Sequence, residues 1–116
     1  MSGDTLHGLP PVAGPATRLL VLGSFPGAAS LAAGQYYGHP RNHFWPILAA
    51  LWGSPLAEWP YAERLAFIRG RGLGLWDVYA SCRRQGSLDV DIVDPQPNDL
   101  AGLARRLPRL ALIVHN

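Results

Sequence analysis

Three short runs of this chain consist almost entirely of apolar residues, at positions 18–23, 73–79 and 110–114. Runs of this length, bounded by glycine or proline, are typical of strands buried on both faces of a parallel sheet. Segments with helical spacing separate the runs, as expected when helices cross over between parallel strands. The sequence therefore predicts an α/β fold, with three α/β/α layers around a central parallel sheet.

The helix boundaries follow from caps and prolines. A first helix is predicted to begin near Asn42 or His43, because Pro46 is tolerated only in the first turn of a helix. Further helices are predicted over residues 60–69 and directly after residues 97–99, whose Pro-Asn-Asp sequence is typical of a helix N-terminus.

The sequence near the two ends of the chain predicts two features of the domain organisation. Residues 1–17 are rich in glycine and proline and predict a flexible N-terminal lead-in. Residues 18–116 are expected to be the N-terminal portion of one domain. The apolar run at 110–114 predicts a strand that needs cover on both faces, so we expect a truncated domain.

Composition limits the partners and cofactors of the protein. All ten basic residues are arginine and the net charge is +2, which permits a nucleic-acid partner but is equally consistent with a mildly basic surface. The single cysteine, Cys82, excludes an intrachain disulfide and a multi-cysteine metal site. No run approaches membrane-spanning length. We expect a cytoplasmic monomer without metal, cofactor or membrane contact.

The segment after the first predicted strand, residues 24–41, is predicted to be a loop, and it is the expected place of the chemistry. Ligands of open parallel sheets bind at the carboxyl ends of the strands. The loop begins with the sequence Gly-Ser-Phe-Pro-Gly at residues 23–27. Gly23 lets the backbone approach a ligand, and the amides of Ser24 and Phe25 are placed to face a developing anion. A plain tight turn is the alternative interpretation.

The second part of this segment, residues 35–45, concentrates aromatic, amide and basic side chains. Tyr36 and Tyr37 offer faces for stacking, and Asn42 offers hydrogen bonds to a ring edge, which is what a nucleobase pocket requires. The alternatives are loop packing for the tyrosines, a structural role for His39 and a helix N-cap for Asn42.

The joined pattern of a strand, Gly-Ser-Phe-Pro-Gly and His-Pro-Arg-Asn-His-Phe-Trp resembles the mismatch-specific uracil-DNA glycosylases. Residues 30–31, 35–40 and 74–78 make the chain similar to the hypoxanthine branch of the uracil-DNA glycosylase superfamily, over roughly residues 18–116. The resemblance implies a DNA glycosylase that hydrolyses the N-glycosidic bond of deaminated bases, hypoxanthine above all, in base excision repair. Its partner would be DNA containing a damaged base, with association to the nucleoid when bound.

The resemblance also implies roles for particular residues. Many relatives have a catalytic Asn or Asp where this chain has Phe25, and the hypoxanthine branch shares that departure. The implied catalytic polar residue is then Asn42, together with Ser24. Tyr37 occupies the place of the aromatic residue that stacks on the flipped base.

Further residues complete the predicted base pocket. Gly23 and Phe25 belong to its wall, and Asp77 ends the predicted second strand, where relatives read the edge of the base. His39 and Tyr36 are secondary candidates.

The chemistry of hypoxanthine fits a carboxylate at Asp77. The base presents N1–H as a donor and O6 as an acceptor, whereas adenine presents a lone pair at N1. The carboxylate would accept from N1–H and repel adenine, while an amide near Ser24 donates to O6. A turn or capping role is the alternative for Asp77. Without lysine there is no lysine Schiff base, so we expect a monofunctional enzyme.

Two other functions stay open. One is a glycosylase for uracil or thymine in mismatches. The other is an inactive truncated fragment or a nucleic-acid-binding module, favoured by Phe25 and by the lack of the superfamily's second motif before residue 116.

Overall fold

Two three-stranded sheets form the framework of the computed structural model, which describes residues 4–116. In chain order the strands are β1 (Leu6–His7), β2 (Leu19–Gly23), β3 (Leu73–Asp77), β4 (Tyr79–Arg83), β5 (Val93–Pro97) and β6 (Leu112–His115). The first sheet is parallel with the order β3-β2-β6, and the second is antiparallel with the order β1-β4-β5.

The helices lie between these strands. They are α1 (Ala28–Ala33), α2 (Phe44–Trp52), α3 (Tyr61–Gly70) and α4 (Leu100–Arg105), with single 3-10 turns at Leu56–Glu58 and Asp89–Asp91. The three predicted helices are confirmed as α2, α3 and α4. In α4 the Asp99 carboxylate accepts from the Gly102 N–H at 2.9 Å, as a capping residue does. Helix α1 was not expected, since its small residues give no amphipathic pattern.

The parallel sheet predicted from the apolar runs is confirmed. Central strand β2 pairs with β3 so that Leu20 lies beside Gly74 and Gly23 beside Asp77. On its other side β2 pairs with β6, with Leu22 beside His115. All three strands therefore end at the same edge of the sheet.

The strand expected over residues 73–79 is in fact divided between the two sheets. Its first part is β3, which is buried at every position and ends at Asp77. The chain then enters β4, which pairs antiparallel with β1 and β5. β5 is exposed throughout and contains two prolines, so no apolar periodicity marks the second sheet in the sequence. A mixed α/β fold with one parallel sheet results.

The expected flexible lead-in differs from what the structure shows for residues 4–17; residues 1–3 lie outside the described part. β1 pairs with β4, and Val12 is buried. Val12 exchanges two backbone hydrogen bonds with Leu75, both at 2.8 Å. β3 lies at the edge of the parallel sheet, so the backbone groups on its outer side lack a partner strand. The bridge to Val12 gives some of these groups hydrogen-bond partners, and proline favours the extended conformation of the bridging segment.

The hydrophobic core lies around strands β2 and β3 of the parallel sheet. Leu20 and Leu75 are fully buried there with Ile68 of α3 and Leu103 of α4. Strand β6 differs, because 57%, 44% and 37% of its Leu112, Ile113 and Val114 surfaces are exposed. Within residues 4–116, no helix has the length and apolar character needed to cross a membrane.

A pair of glycine substitutions tests the packing of the N-terminal segment. A Cβ at Gly74 would lie 2.8 Å from the Val12 carbonyl oxygen, so Gly74→Ala must displace the bridge. We expect it to lower the free energy of unfolding by about 2 kcal/mol in urea titrations. The matched variant Gly70→Ala meets open space in α3 and should be neutral or stabilising. Equal stability of the two variants would contradict the bridge.

Candidate active site

A cavity of about 360 Å³ opens at the edge where the parallel strands end. It is lined by all eight residues singled out in the sequence: Gly23, Ser24, Phe25, Tyr36, Tyr37, His39, Asn42 and Asp77. The structure thus brings the two halves of the motif and the end of β3 to one place. The chemical roles of these residues remain predictions.

The loop after β2 contributes two free donors to the cavity wall. The N–H groups of Ser24 and Phe25 donate no hydrogen bond to any residue between 4 and 116. The Ser24 carbonyl is used, because it accepts from the Tyr79 N–H at 3.1 Å. The loop is therefore anchored by its carbonyl groups while its amides stay available for a ligand.

A buried arginine holds the same loop from behind. Arg84 is 7% exposed, and its Nη2 donates to the Pro26 carbonyl at 2.6 Å while its Nε donates to the Gly86 carbonyl at 2.9 Å. Its guanidinium carbon lies 5.3 Å from the centre of the Phe25 ring. This cation fixes the ring and the backbone that line the cavity. Its position was not predicted, because residues 79–84 were not expected to form a second sheet.

Asp77 is the buried charge of the cavity. Its surface is 5% exposed, and its Oδ2 has no hydrogen-bond partner among the described residues. Burial, with a smaller contribution from the nearby Asp89 charge, raises the pKa of the Asp77 carboxyl from 3.8 to about 6. A Cβ at Gly23 would lie 2.6 Å from Asp77 Oδ1, so the carboxylate occupies the space that the glycine leaves free.

The backbone of Asp77 is fixed separately from its side chain. Asn98 Nδ2 donates to the Asp77 carbonyl at 2.8 Å, and the Asn98 N–H donates to the Val78 carbonyl at 2.8 Å. The end of β3 is thereby held in place without using either carboxylate oxygen. Asp77 thus lines the cavity with a carboxyl group that these backbone contacts leave unused.

Tyr37 forms the aromatic wall and has an unusual backbone conformation. Its φ of 55° lies in the left-handed region, which costs a non-glycine residue about 1–2 kcal/mol. Its ring stacks on Phe44 with centroids 3.9 Å apart and planes 18° apart. Burial raises the pKa of the Tyr37 hydroxyl, so the ring stays neutral at physiological pH. The stack supports a rigid aromatic face beside Asp77.

Tyr36 anchors the backbone that presents Tyr37. The Tyr36 N–H donates to Tyr61 Oη at 2.9 Å, and the Tyr36 carbonyl accepts from Trp45 Nε1 at 3.1 Å. The Tyr36 hydroxyl donates to the carbonyls of Leu9 and Pro10 at 3.1 and 2.8 Å. These contacts over-determine the local conformation, which explains how the strained neighbour persists.

The side chains of Asn42 and His39 are oriented by short local hydrogen bonds. Asn42 Oδ1 accepts from the Phe44 N–H at 2.8 Å, a local contact with the residue two positions along the chain. The predicted helix N-cap at Asn42 is wrong, because the N-cap residue of α2 is His43, while the Asn42 amide borders the cavity. His39 Nδ1 accepts from the Arg41 N–H at 3.0 Å. In the neutral ring the proton therefore lies on Nε2, so this cavity-lining residue keeps one N–H donor.

Several residues at or beside the cavity were missed in the sequence. His115 ends β6 and Asn116 follows it: His115 Nε2 lies 3.5 Å from Ser24 Oγ, and Asn116 Nδ2 donates to Tyr37 Oη at 3.3 Å. Their place after a parallel strand was a usable signal. Ser87 and Asp89 come from the segment after β4 and had no such signal. No group of three potential metal ligands occurs within residues 4–116.

The sequence profile of the family described as "Uracil DNA glycosylase superfamily" matches residues 10–114. With a cavity at the strand ends and the motif residues around it, the chain belongs to the uracil DNA glycosylase superfamily.

The chain is also similar to individual members of this superfamily. The chain is 39% and 38% identical, over 110 residues, to proteins named hypoxanthine DNA glycosylase from Methanosarcina barkeri and Methanosarcina acetivorans. These matches cover 95% of the chain and 70% of each relative. The solution NMR structure of a provisionally assigned uracil DNA glycosylase from Methanosarcina acetivorans matches with a TM-score of 0.86 at 37% identity, covering 97% of this chain and 70% of that one.

Burial of the Asp77 charge gives a pH-dependent stability. Because its pKa is raised in the folded protein, the folded state binds the proton more tightly, and stability falls as pH rises from about 4 through about 6. We expect Asp77→Asn to match the native protein at pH 4 and to exceed its free energy of unfolding by about 2 kcal/mol at pH 7.5. Urea titrations across this range measure the difference, and a pH-independent difference would contradict the assignment.

Proposed function

We propose that this protein is a monofunctional DNA glycosylase that removes hypoxanthine from DNA. The observation that carries the proposal is the buried carboxylate of Asp77, whose Oδ2 has no hydrogen-bond partner among the described residues. Asp77 lines the same cavity as Ser24 and Phe25, whose N–H groups donate to none of the described residues. The 38–39% identity to two proteins named hypoxanthine DNA glycosylase supports this choice within the superfamily.

The proposed recognition uses one acceptor and one donor on the protein. Ionised Asp77 accepts from N1–H of hypoxanthine, and a loop amide at Ser24 or Phe25 donates to O6. Adenine would place its N1 lone pair against the carboxylate, leaving a buried charge unsatisfied, which is strongly unfavourable. Discrimination between hypoxanthine and adenine thus rests on the charge state of one side chain.

The proposed reaction begins when the damaged nucleotide is flipped out of the duplex and its base stacks on Tyr37. The C1′–N9 bond breaks, the electron pair leaves with the base, and the sugar becomes oxocarbenium-like. The free loop amides stabilise the charge that develops on the base. A water oxygen then bonds to C1′, one water proton passes to solvent, and the departing base is protonated.

Asn42 is the proposed residue that positions this water. Its amide is held by the hydrogen bond from the Phe44 N–H, so its free Nδ2 and the second lone pair of Oδ1 have fixed directions. An amide is too weak a base to remove the proton, so positioning must supply the rate enhancement. The chain has no lysine, and the reaction therefore proceeds without a lysine Schiff base or strand cleavage.

Uracil is a second candidate base, because its N3–H and O4 repeat the donor and acceptor order of N1–H and O6 in hypoxanthine. Asp77 and the loop amides would satisfy either edge. Relative excision rates decide between the two bases.

The three-layer arrangement is proposed with the function. Parallel sheets bury both faces, usually under helices. The packing of Ile68 from α3 and Leu103 from α4 around the parallel sheet supports helical layers about it.

Excision assays on duplexes with a single deoxyinosine, deoxyuridine or mismatched thymine test the function. We expect the fastest release at deoxyinosine, read as strand breaks after alkali. Asn42→Ser keeps an oxygen that can accept from the Phe44 N–H and removes the amide, so it should lower the rate at least about 100-fold at nearly native stability. Asn42→Ala should also lose activity, and about 1 kcal/mol of stability besides, because the Phe44 N–H loses its acceptor.

Native activity in Asn42→Ser would contradict the role of the amide. Faster release of uracil than of hypoxanthine would establish the second candidate base. No release from any duplex by folded protein would refute glycosylase activity.

The ionisation of Asp77 also predicts how selectivity depends on pH. Below pH 6 the carboxyl is increasingly neutral, accepts N1–H less well and gains a donor for adenine N1. Excision of hypoxanthine relative to adenine should therefore fall as pH decreases from 7.5 to 5. Single-turnover rates on matched deoxyinosine and deoxyadenosine duplexes measure this ratio, and a pH-independent ratio in the native protein would contradict recognition by Asp77.

A further inference from the structure

A second cavity, of about 220 Å³, adjoins the cavity at the strand ends that is proposed to hold the base, the base cavity. Tyr37, His39 and Asn42 line both cavities, so a single short segment forms the wall between them. When one part of a ligand occupies the base cavity, the adjacent groups of the same ligand lie at this wall. The second cavity has no role in the reaction described above.

Arg64 of α3 supplies a positive charge to the second cavity. Its Nε donates to the Trp59 carbonyl at 3.0 Å. Its guanidinium carbon lies 5.2 Å from the centre of the Trp45 ring and 5.5 Å from that of Tyr61. The guanidinium is therefore held in place by packing and by one hydrogen bond.

The remaining donors of Arg64 are free. Neither Nη atom donates to a described residue, and no described carboxylate lies within 4.0 Å of it. The other lining residues include no Asp or Glu, whereas Gln35 and His39 add further polar groups. The cavity beside Arg83 and Arg84 is different, because Asp91 lines it and Asp94 pairs with Arg83. The surroundings of Arg64 thus favour an anion.

We propose that the second cavity binds a phosphodiester group of the damaged strand beside the flipped nucleotide, with the Arg64 guanidinium as its main donor. The proposal rests on the proposed function, since the flipped base fixes which strand reaches the cavity. A phosphodiester suits the site because its two free oxygens accept the parallel N–H groups of a guanidinium. His39 Nε2–H, oriented by the contact of Nδ1 with the Arg41 amide, is a second donor at the shared wall.

A matched pair of charge-neutralising variants tests this site. Arg64→Gln removes the proposed contact, while Arg69→Gln removes the same charge from an exposed position of α3 that does not line the cavity. Single-turnover excision gives the half-saturating enzyme concentration and the limiting rate. We expect Arg64→Gln to raise half-saturation about tenfold with a limiting rate within about threefold of native, and to reduce the salt slope by about one. Arg69→Gln should change both quantities far less.

Replacing single phosphodiesters by neutral methylphosphonates locates the contact. At one linkage next to the lesion, the native protein should lose about tenfold in affinity and Arg64→Gln should lose nothing further. The proposal would be overturned if the affinity losses from the methylphosphonate and from Arg64→Gln added at every linkage. Equal half-saturation and limiting rates of Arg64→Gln and Arg69→Gln would also overturn it. If Arg64→Gln does not fold, Arg64→Lys replaces it, because it keeps the cation without the bidentate fork.

Binding separates this proposal from the proposed function. Anisotropy with a duplex carrying 2′-fluoro-2′-deoxyinosine, whose glycosidic bond resists hydrolysis, measures affinity without excision. Tight binding weakened by Arg64→Gln, with no excision of natural substrates, would support the phosphate site and refute the glycosylase. Normal excision and binding in Arg64→Gln would refute the phosphate site alone.

Discussion

Strand β2 lies between β3 and β6 and runs parallel to both, and the position of every candidate functional group depends on this pairing. The register places Gly23 beside Asp77 and Leu22 beside His115. The loop after β2, the carboxylate at the end of β3 and the polar residues after β6 therefore meet at one edge. A shift of one residue in the register would turn these side chains to the opposite face of the sheet.

Two buried charges lie on different sides of the loop after β2 and form no ion pair with each other. Asp77 lines the cavity and its Oδ2 has no hydrogen-bond partner among the described residues, whereas Arg84 supports the loop through the Pro26 carbonyl and the Phe25 ring. An ion pair would have satisfied both charges and left the cavity without a strong acceptor. Because the two charges are separated, the Asp77 carboxylate stays available for a ligand. Its burial without a positively charged partner raises its pKa.

The sequence predicted the parallel sheet, helices α2 to α4 and a common location for eight site residues, because these features depend on local apolar patterns and on where parallel strands end. It did not predict the antiparallel sheet. β5 is exposed, so its place depends on long-range pairing with β4 that leaves no apolar pattern. The bridge of Val12 to β3 and the loop contacts of Arg84 were missed for the same reason. The roles of the site residues stay predictions, since packing positions a group without specifying its chemistry.

The close approach of Gly23 to Asp77 has a consequence for how this site can evolve. Any side chain at position 23 would begin 2.6 Å from the carboxylate oxygen, so a mutation there is excluded while the aspartate keeps this position. Descendants of this sequence can acquire a larger residue at 23 only after position 77 has changed or moved. Substitutions at the two positions are therefore expected to be correlated. A lineage that changes its base preference through residue 77 would also tolerate larger residues at position 23.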